Sequence, residues 1–220
     1  MCNLRANGTA RELTRQLFKV GDNRTAAFEP QSAIFPSTES PVVRLADDGE
    51  RELVMQSWGF VLLMKGLAPK RVTNFRDDKL SSPFWRGSFE ERRCLVPGTS
   101  FAEPKGKGPA TWHWFALSES RESFSFAGIW RTYRGPVRKD GENEDIEVCS
   151  IMTTKPNELV ATIHPKRMPV MLVGEADQDQ WLQGSTSEAH ELVRSYPADK
   201  MAIVQSSTER KDLAISPLDH

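Results

Sequence analysis

The sequence predicts an α+β fold: a single domain, residues 1–220, built on a curved or barrel-like antiparallel sheet with short peripheral helices. Many short segments show strand patterning, and a few short helical segments are scattered among them. Their order lacks the regular β–α–β alternation of a doubly wound sheet, which favours a closed or strongly curved sheet. A chain of 220 residues, 38% of them hydrophobic, can bury a sizeable core.

The predicted strands are short, and several alternate between apolar and polar residues. In the segment 123–133 the residues Phe124, Phe126, Gly128 and Trp130 share one face. Residues 134–145 are polar and predict a hairpin loop. The predicted strands are 41–45, 52–60, 94–96, 111–117, 123–133, 146–153, 169–173 and 201–204.

The predicted helices are also short. Thr9 and Glu12 have the Thr-x-x-Glu spacing of a capping box, which predicts a helix over 9–19. Pro83 suits the first turn of a helix over 83–93. The remaining predicted helices are 156–162, 175–183 and 187–195.

The charge balance excludes a protein that coats DNA through a global positive field. The formal net charge is −1, and the sequence pI is about 6.5. Between Lys65 and Arg93, however, eight basic residues accompany four acidic ones. This local excess predicts a phosphate-binding groove around Arg76, and a solvated charged face is the alternative.

The three cysteines, Cys2, Cys94 and Cys149, predict neither a disulfide framework nor a zinc site, because no two are close in sequence. We expect reduced thiols in a cytoplasmic protein, with Cys94 and Cys149 buried and inert, and no metal or other cofactor. No apolar run approaches membrane-spanning length, and the first ten residues lack the apolar stretch of a secretory signal.

Cys2 occupies a position with distinctive chemistry. Methionine aminopeptidase removes Met1 when the next residue is small, and the mature chain then begins with a cysteine. Its α-amine, with an ordinary pKa of about 7.7–8.0, and its thiol lie on adjacent carbons and condense together with an aldehyde. The alternative is an incidental residue on a frayed terminus.

Five further motifs follow Cys2 along the chain. An amide and a guanidinium, Asn74 and Arg76, are two residues apart on extended chain and therefore face the same way. With the N-terminal MCN, these motifs resemble the SOS-response-associated peptidase (SRAP) family in order and spacing. The motifs are WG at 58–59, TNFR at 73–76, LVPGTSFAE at 95–103, TT at 153–154 and IHPKRMP at 163–169.

The resemblance implies a catalytic role for four residues. Cys2 matches the nucleophile that crosslinks to DNA, and Asn74 matches the amide that holds the cysteine and the abasic sugar. Glu103 matches the carboxylate that assists proton transfer, and His164 matches the imidazole that helps open the sugar ring and supports strand cleavage. In isolation, Asn74 is equally consistent with a turn residue. Without the resemblance, Glu103 fits a solvated loop carboxylate better, and His164 fits a capping or core histidine better.

The chemistry of aldehyde capture needs the same residue types. A closed hemiacetal sugar needs a general acid or base to free its aldehyde, and histidine suits that task near neutral pH. Loss of water from a carbinolamine needs a nearby carboxylic acid, so the pKa of Glu103 should be raised toward roughly 6–7 by burial.

Contacts with DNA are expected from a second group of residues. The resemblance implies that Arg76 binds a phosphate and that Thr153 lines the active site. Trp58 and Trp85 are candidates to stack on bases, although aromatic residues more often belong to the core. Members of the family often begin Met-Cys-Gly-Arg, whereas Arg5 of this chain is displaced by one position, so the phosphate role of that arginine is not carried over.

Together these features predict an abasic-site-processing protein that captures abasic sites in single-stranded DNA through Cys2 as a thiazolidine. Strand-cleaving lyase activity and autoproteolytic removal of Met1 are expected to accompany it, in a monomer. One alternative is a thiol peptidase using Cys2, His164 and Asn74. The other is a non-catalytic single-strand DNA-binding module, which would not need Cys2.

Overall fold

A computed structural model describes residues 3–106 and 108–215 of the chain. Its strands are β1 (Arg5–Asn7), β2 (Gln31–Ile34), β3 (Glu39–Leu45), β4 (Arg51–Trp58), β5 (Phe60–Leu62), β6 (Lys70–Val72), β7 (Asn74–Arg76), β8 (Arg93–Gly98), β9 (Ser100–Lys105), β10 (Thr111–Ala116), β11 (Phe124–Pro136), β12 (Asn143–Thr154), β13 (Met168–Pro169), β14 (Met171–Leu172) and β15 (Ala202–Ser207).

The helices are short and peripheral, as predicted. They are α1 (Arg11–Leu17), α2 (Pro83–Glu91), α3 (Glu158–Ala161), α4 (Glu175–Gln183) and α5 (Thr186–Glu191), with 3₁₀ turns at Asp22–Arg24, Asp77–Lys79 and Ala198–Lys200. Within the described ranges no helix is long and apolar enough to cross a membrane.

The capping box predicted at Thr9 does not form. The N-cap of α1 is Ala10, and no side chain caps it. The Glu12 carboxylate instead accepts hydrogen bonds from Arg15 at 2.6 Å and Gln16 at 2.8 Å. Because the N-cap is Ala10 and not Thr9, Glu12 is the second residue of the helix and not the third, which the capping box requires.

The centre of the fold is a closed ring of five strands. They are hydrogen-bonded in the order β12–β4–β3–β8–β11, and β11 pairs with β12 to complete the ring. All of these pairs are antiparallel except β12–β4, which is parallel and aligns Val148 with Ser57. The predicted barrel-like architecture is confirmed, with one parallel seam.

The barrel interior is filled by the alternating residues that the sequence indicated. Phe124 and Phe126 of β11 pack edge to face, with ring centroids 4.9 Å apart. Cys94 and Cys149 lie in the same cluster and are fully buried free thiols. Strands β11 and β12 extend to Pro136 and Asn143, so the hairpin loop is shorter than predicted.

A second sheet has the strand order β15–β10–β9–β1–β2. Strands β1, β2 and β9 were not predicted. β1 is antiparallel to β9, with Arg5 opposite Phe101, and the amide N–H of Ala102 donates to the Leu4 carbonyl at 2.9 Å. Continuing this register brings Asn3 opposite Glu103. The start of the described chain is thus held beside the strand that carries Glu103.

Replacing Gly128 with alanine is expected to destabilise the barrel. A Cβ atom there would lie 2.8 Å from the Cys94 Sγ and 2.8 Å from Val96 Cγ2. Overpacking of this kind costs about 1–3 kcal/mol of unfolding free energy. Chemical denaturation measures the change, with Gly21→Ala as the control, because the nearest atom to a Cβ at Gly21 is 3.4 Å away. Equal stability of Gly128→Ala and wild type would contradict the close packing described here.

Candidate active site

Three side chains form a hydrogen-bonded cluster at the start of β7. The Thr73 hydroxyl donates to Asn3 Oδ1 at 2.7 Å and accepts from Asn74 Nδ2 at 2.9 Å. The same Asn74 nitrogen lies 3.4 Å from Asn3 Oδ1. Thr73 and Asn74 are buried, whereas Asn3 is exposed. The residue that follows Cys2 in sequence is therefore bonded to the strand that carries Asn74.

Glu103 lies in β9 and is only 1% exposed, so it is a buried strand residue rather than a solvated loop residue. Burial raises the pKa of this carboxyl from 4.5 to about 7, because a carboxylate loses its hydration there. Protonated and ionised forms are then both populated near neutral pH. The group is suited to donate and to take back a proton.

His164 follows α3 in a tight turn. Its Nδ1 lies 2.8 Å from the Arg167 carbonyl oxygen, which assigns the proton to Nδ1 and leaves Nε2 as an acceptor. Burial lowers the pKa of the imidazole below its ordinary value. A neutral imidazole with a lone pair on Nε2 can act as a general base.

A cationic cleft of about 700 Å³ lies beside His164. Arg167 is held by three acceptors: Asp77 at 2.6 Å, the Thr153 carbonyl at 2.9 Å and Asp78 at 3.2 Å. Two nitrogens of Arg76 also bind Asp78. Oriented cations of this kind suit an anionic ligand. The lining residues are Arg76, Lys155, His164, Lys166 and Arg167.

Of the residues that line this cleft, Arg76 and His164 were predicted from the sequence. Lys166 and Arg167 fall inside the IHPKRMP motif, and Lys155 follows the TT motif. The basic residues Lys166 and Arg167, which follow His164 closely in sequence, were the pattern that indicated a cationic cleft. Like Lys155, these residues lie outside the segment from Lys65 to Arg93, where basic residues exceed acidic ones.

Thr153 is fully buried and links strands rather than lining open space. Its hydroxyl donates to the Phe75 carbonyl at 2.9 Å, and its carbonyl accepts from Arg167. It therefore ties β7 to β12 and positions one of the cleft cations. Direct contact of Thr153 with DNA stays a prediction.

The two tryptophans singled out in sequence lie in the core. Trp58 is fully buried, and its indole N–H donates to the Thr73 carbonyl at 3.0 Å. Trp85 is 8% exposed and packs against Phe60 and Phe75, with ring centroids 5.2 and 5.6 Å away. Base stacking on either ring stays a prediction. Their positions match the alternative that aromatic residues form the core.

Arg5, the displaced N-terminal arginine, is also buried rather than presented to the cleft. Its guanidinium donates to the Pro97 carbonyl at 3.1 Å and to the Ser40 hydroxyl. It lies 5.1 Å from the centroid of the Trp58 ring. These contacts give Arg5 a structural role between β1 and the barrel.

Cys2 lies outside the described residues, so its distance from the other predicted catalytic residues stays a prediction. The segments that carry Glu103 and His164 are joined, because Lys105 Nζ donates to the Thr162 carbonyl at 2.7 Å. Asn74 is hydrogen-bonded to Asn3. Asn3 continues the β1–β9 register and is therefore expected opposite Glu103.

The chain belongs to the SRAP family: the family model described as "SOS response associated peptidase (SRAP)" matches residues 1–211. Abasic site processing protein YoqW of Bacillus subtilis (strain 168) is 34% identical over 143 residues. The match covers 63% of this chain and 61% of that relative, about three fifths of its length. Abasic site processing protein YoaM of the same organism is 26% identical over 192 residues, covering 82% and 79% of the two chains.

Two solved structures share the fold. A protein from Bordetella bronchiseptica superposes with a TM-score of 0.72 at 22% identity, covering 94% of this chain and 98% of the other. A protein from Bacteroides thetaiotaomicron has a TM-score of 0.70 at 20% identity, with coverages of 91% and 90%. These similarities support the architecture described above.

Replacing Glu103 with glutamine is expected to change how stability depends on pH. A carboxyl whose pKa rises on folding from 4.5 to about 7 costs wild-type stability as pH rises through that window, whereas a neutral amide does not. The stability of Glu103→Gln relative to wild type should therefore grow by about 3 kcal/mol between pH 4 and pH 8.

Urea denaturation at the two pH values measures this difference. Glu142→Gln, in the exposed loop between β11 and β12, is the matched control and should show little growth. If the difference in unfolding free energy between Glu103→Gln and wild type is the same at both pH values, the Glu103 carboxyl has an ordinary pKa.

Proposed function

We propose that this protein captures abasic sites in single-stranded DNA covalently through Cys2. The observation that carries the proposal is the Asn3–Thr73–Asn74 hydrogen-bond cluster, which anchors the residue next to Cys2. Consecutive α-carbons are about 3.8 Å apart, so we expect Cys2 to act near Asn74. The β1–β9 register pairs Arg5 with Phe101. Its continuation to Asn3 and Glu103 supports a position for the buried carboxyl near the same N-terminal segment.

The proposed reaction requires no redox step. After removal of Met1, the Cys2 α-amine adds to the sugar aldehyde to form a carbinolamine, which loses water to give an imine. The thiol then adds to the imine carbon, and its proton passes to nitrogen as the thiazolidine ring closes. One water is released overall.

Two side chains are suited to the proton transfers. His164, kept neutral by its lowered pKa, takes the hydroxyl proton of the closed sugar and so frees the aldehyde. Glu103, with a pKa of about 7, donates the proton that lets the carbinolamine hydroxyl leave as water. Strand cleavage by β-elimination is proposed to draw on the same His164 base.

The cationic cleft is proposed to hold the phosphates that flank the abasic site. Arg76 and Arg167 present guanidinium groups suited to bidentate contacts with phosphate oxygens. With a net charge of −1, the protein is expected to neutralise only about two to four phosphates. Contacts of this kind position the strand without reading its sequence.

The peptidase alternative has weaker geometric support. In a Cys-His-Asn arrangement the amide orients the imidazole. Here Asn74 donates to Thr73 and Asn3, while the His164 Nδ1 is bonded to the Arg167 carbonyl. We therefore restrict the proposed peptidase activity to removal of the chain's own Met1.

Cys2→Ala is expected to abolish the heat-stable DNA adduct but to leave non-covalent binding, because the remaining amine cannot close a thiazolidine. Incubation with an abasic single-stranded oligonucleotide, followed by denaturing electrophoresis, measures the adduct. Cys149→Ala removes a buried barrel thiol, and this control variant should still form the adduct. An undiminished stable adduct from Cys2→Ala would exclude Cys2 as the nucleophile.

Two opposite charge changes test the cleft. Arg76→Ala should weaken binding to all sequences alike and make the log–log salt slope shallower by about 0.7. Asp78→Asn should tighten binding, because Asp78 occupies both Arg76 and Arg167. Fluorescence titrations of an abasic oligonucleotide at several salt concentrations measure both effects.

The matched controls carry the same charge changes at surface sites away from the cleft. Arg134, an exposed residue near the tip of the β11–β12 hairpin, pairs with Asp145, and Glu119 lies 3.9 Å from Arg121. Arg134→Ala and Glu119→Gln should bind like wild type. If they shift affinity as much as Arg76→Ala and Asp78→Asn do, the DNA path lies elsewhere.

A further inference from the structure

We propose that Thr73 is a positioning residue that holds the N-terminal segment, through Asn3, in the orientation needed for aldehyde capture. This inference rests on the proposed function and deepens it, since Thr73 is assigned a role through Asn3 and not a direct contact with the sugar or a phosphate. It assigns a task to a buried hydroxyl that the catalytic steps do not use.

The backbone of Thr73 is fixed by the barrel. Its carbonyl accepts two hydrogen bonds at 3.0 Å, one from the Trp58 indole N–H and one from the Ile151 amide. The residue is only 7% exposed. Its side chain therefore projects from a rigid part of the structure, which a group that positions others requires.

The hydroxyl of Thr73 has a defined direction. A hydroxyl carries one proton to donate and two lone pairs to accept with. Asn74 Nδ2 donates to it at 2.9 Å, and its own proton points to Asn3 Oδ1 at 2.7 Å. Because Asn3 Oδ1 is the acceptor, the orientation of the Asn3 amide is set as well.

A fixed Asn3 matters because chain termini are otherwise poorly ordered. The strand pairing of β1 begins at Leu4 and Arg5 and leaves the Asn3 side chain exposed. In the described structure, the hydrogen bond that Asn3 Oδ1 accepts from Thr73 is 2.7 Å long, and the one that it accepts from Asn74 is 3.4 Å long. Holding a reacting amine in place raises the rate of the condensation without changing its chemistry.

The test is the rate of adduct formation over a range of abasic-DNA concentrations, which separates the maximal rate from half-saturation. Thr73→Val keeps the shape but loses the hydroxyl, and Thr73→Ser keeps the hydroxyl. We expect Thr73→Val to lower the maximal rate roughly 3- to 10-fold, as for loss of one hydrogen bond, with half-saturation within about 2-fold. Thr73→Ser should restore the rate.

A double-variant comparison tests whether Thr73 acts through Asn3. Asn3→Ala should be slowed like Thr73→Val, and the double variant should be no slower than the slower single variant. Mass spectrometry confirms that every variant has lost Met1. Thr14→Val is the matched control: it removes a buried hydroxyl on α1, which donates to the carbonyl of the N-cap residue Ala10, and it should leave the adduct rate unchanged.

Hydrogen–deuterium exchange of the N-terminal peptide gives a readout that does not depend on DNA chemistry. Exchange should be faster in Thr73→Val than in wild type and restored in Thr73→Ser. Unchanged exchange together with a wild-type adduct rate in Thr73→Val would overturn the inference, as would a Thr73→Ser protein as slow as Thr73→Val. If wild type forms no Cys2-dependent adduct, the proposed function is overturned, and the positioning role with it. The exchange result would then report only on the hydrogen bond between Thr73 and Asn3.

Discussion

The fold and the candidate site both depend on the hydrogen bonding of β12. Its first half closes the barrel between β11 and β4, and its second half leaves β4 and pairs in parallel with β7. That second pairing aligns Ile151 with Asn74 and Thr153 with Arg76. Parallel neighbours end at the same edge of a sheet, so the site is assembled where the barrel gives way to loops. A shift in the β12–β7 register would therefore move the Asn74 amide and the Arg76 guanidinium together.

The barrel was predictable because several of its strands alternate between apolar and polar residues. The stretch from Phe124 to Trp130 shows its inner face in the sequence itself. β1 and β9 were not predictable in this way. β1 has three residues and is defined by its partner, while β9 contains Pro104, which weakens any strand pattern.

The site could be predicted only in part. Family resemblance indicated Glu103 and His164, and the chemistry of imine formation predicted a raised pKa for Glu103. The burial that raises it to about 7 became visible only in the structure, because sequence does not report burial. The same limit applies to the burial of Trp58 and Arg5. Both side chains are fully buried, and the Arg5 guanidinium lies 5.1 Å from the centroid of the Trp58 ring. The role of Arg167 became visible only through its contacts with Asp77, Asp78 and Thr153.

The pairing of Arg76 and Arg167 with Asp78 turns anion binding into an exchange reaction. An incoming anion must displace a carboxylate that is covalently tethered beside the two guanidinium groups. A small monovalent ion such as chloride gains little from that exchange. A phosphodiester on a strand already held at neighbouring positions acts at high effective concentration and displaces the carboxylate more readily. If the cleft holds DNA as proposed, we therefore expect it to favour anions that are part of a polymer over small free anions.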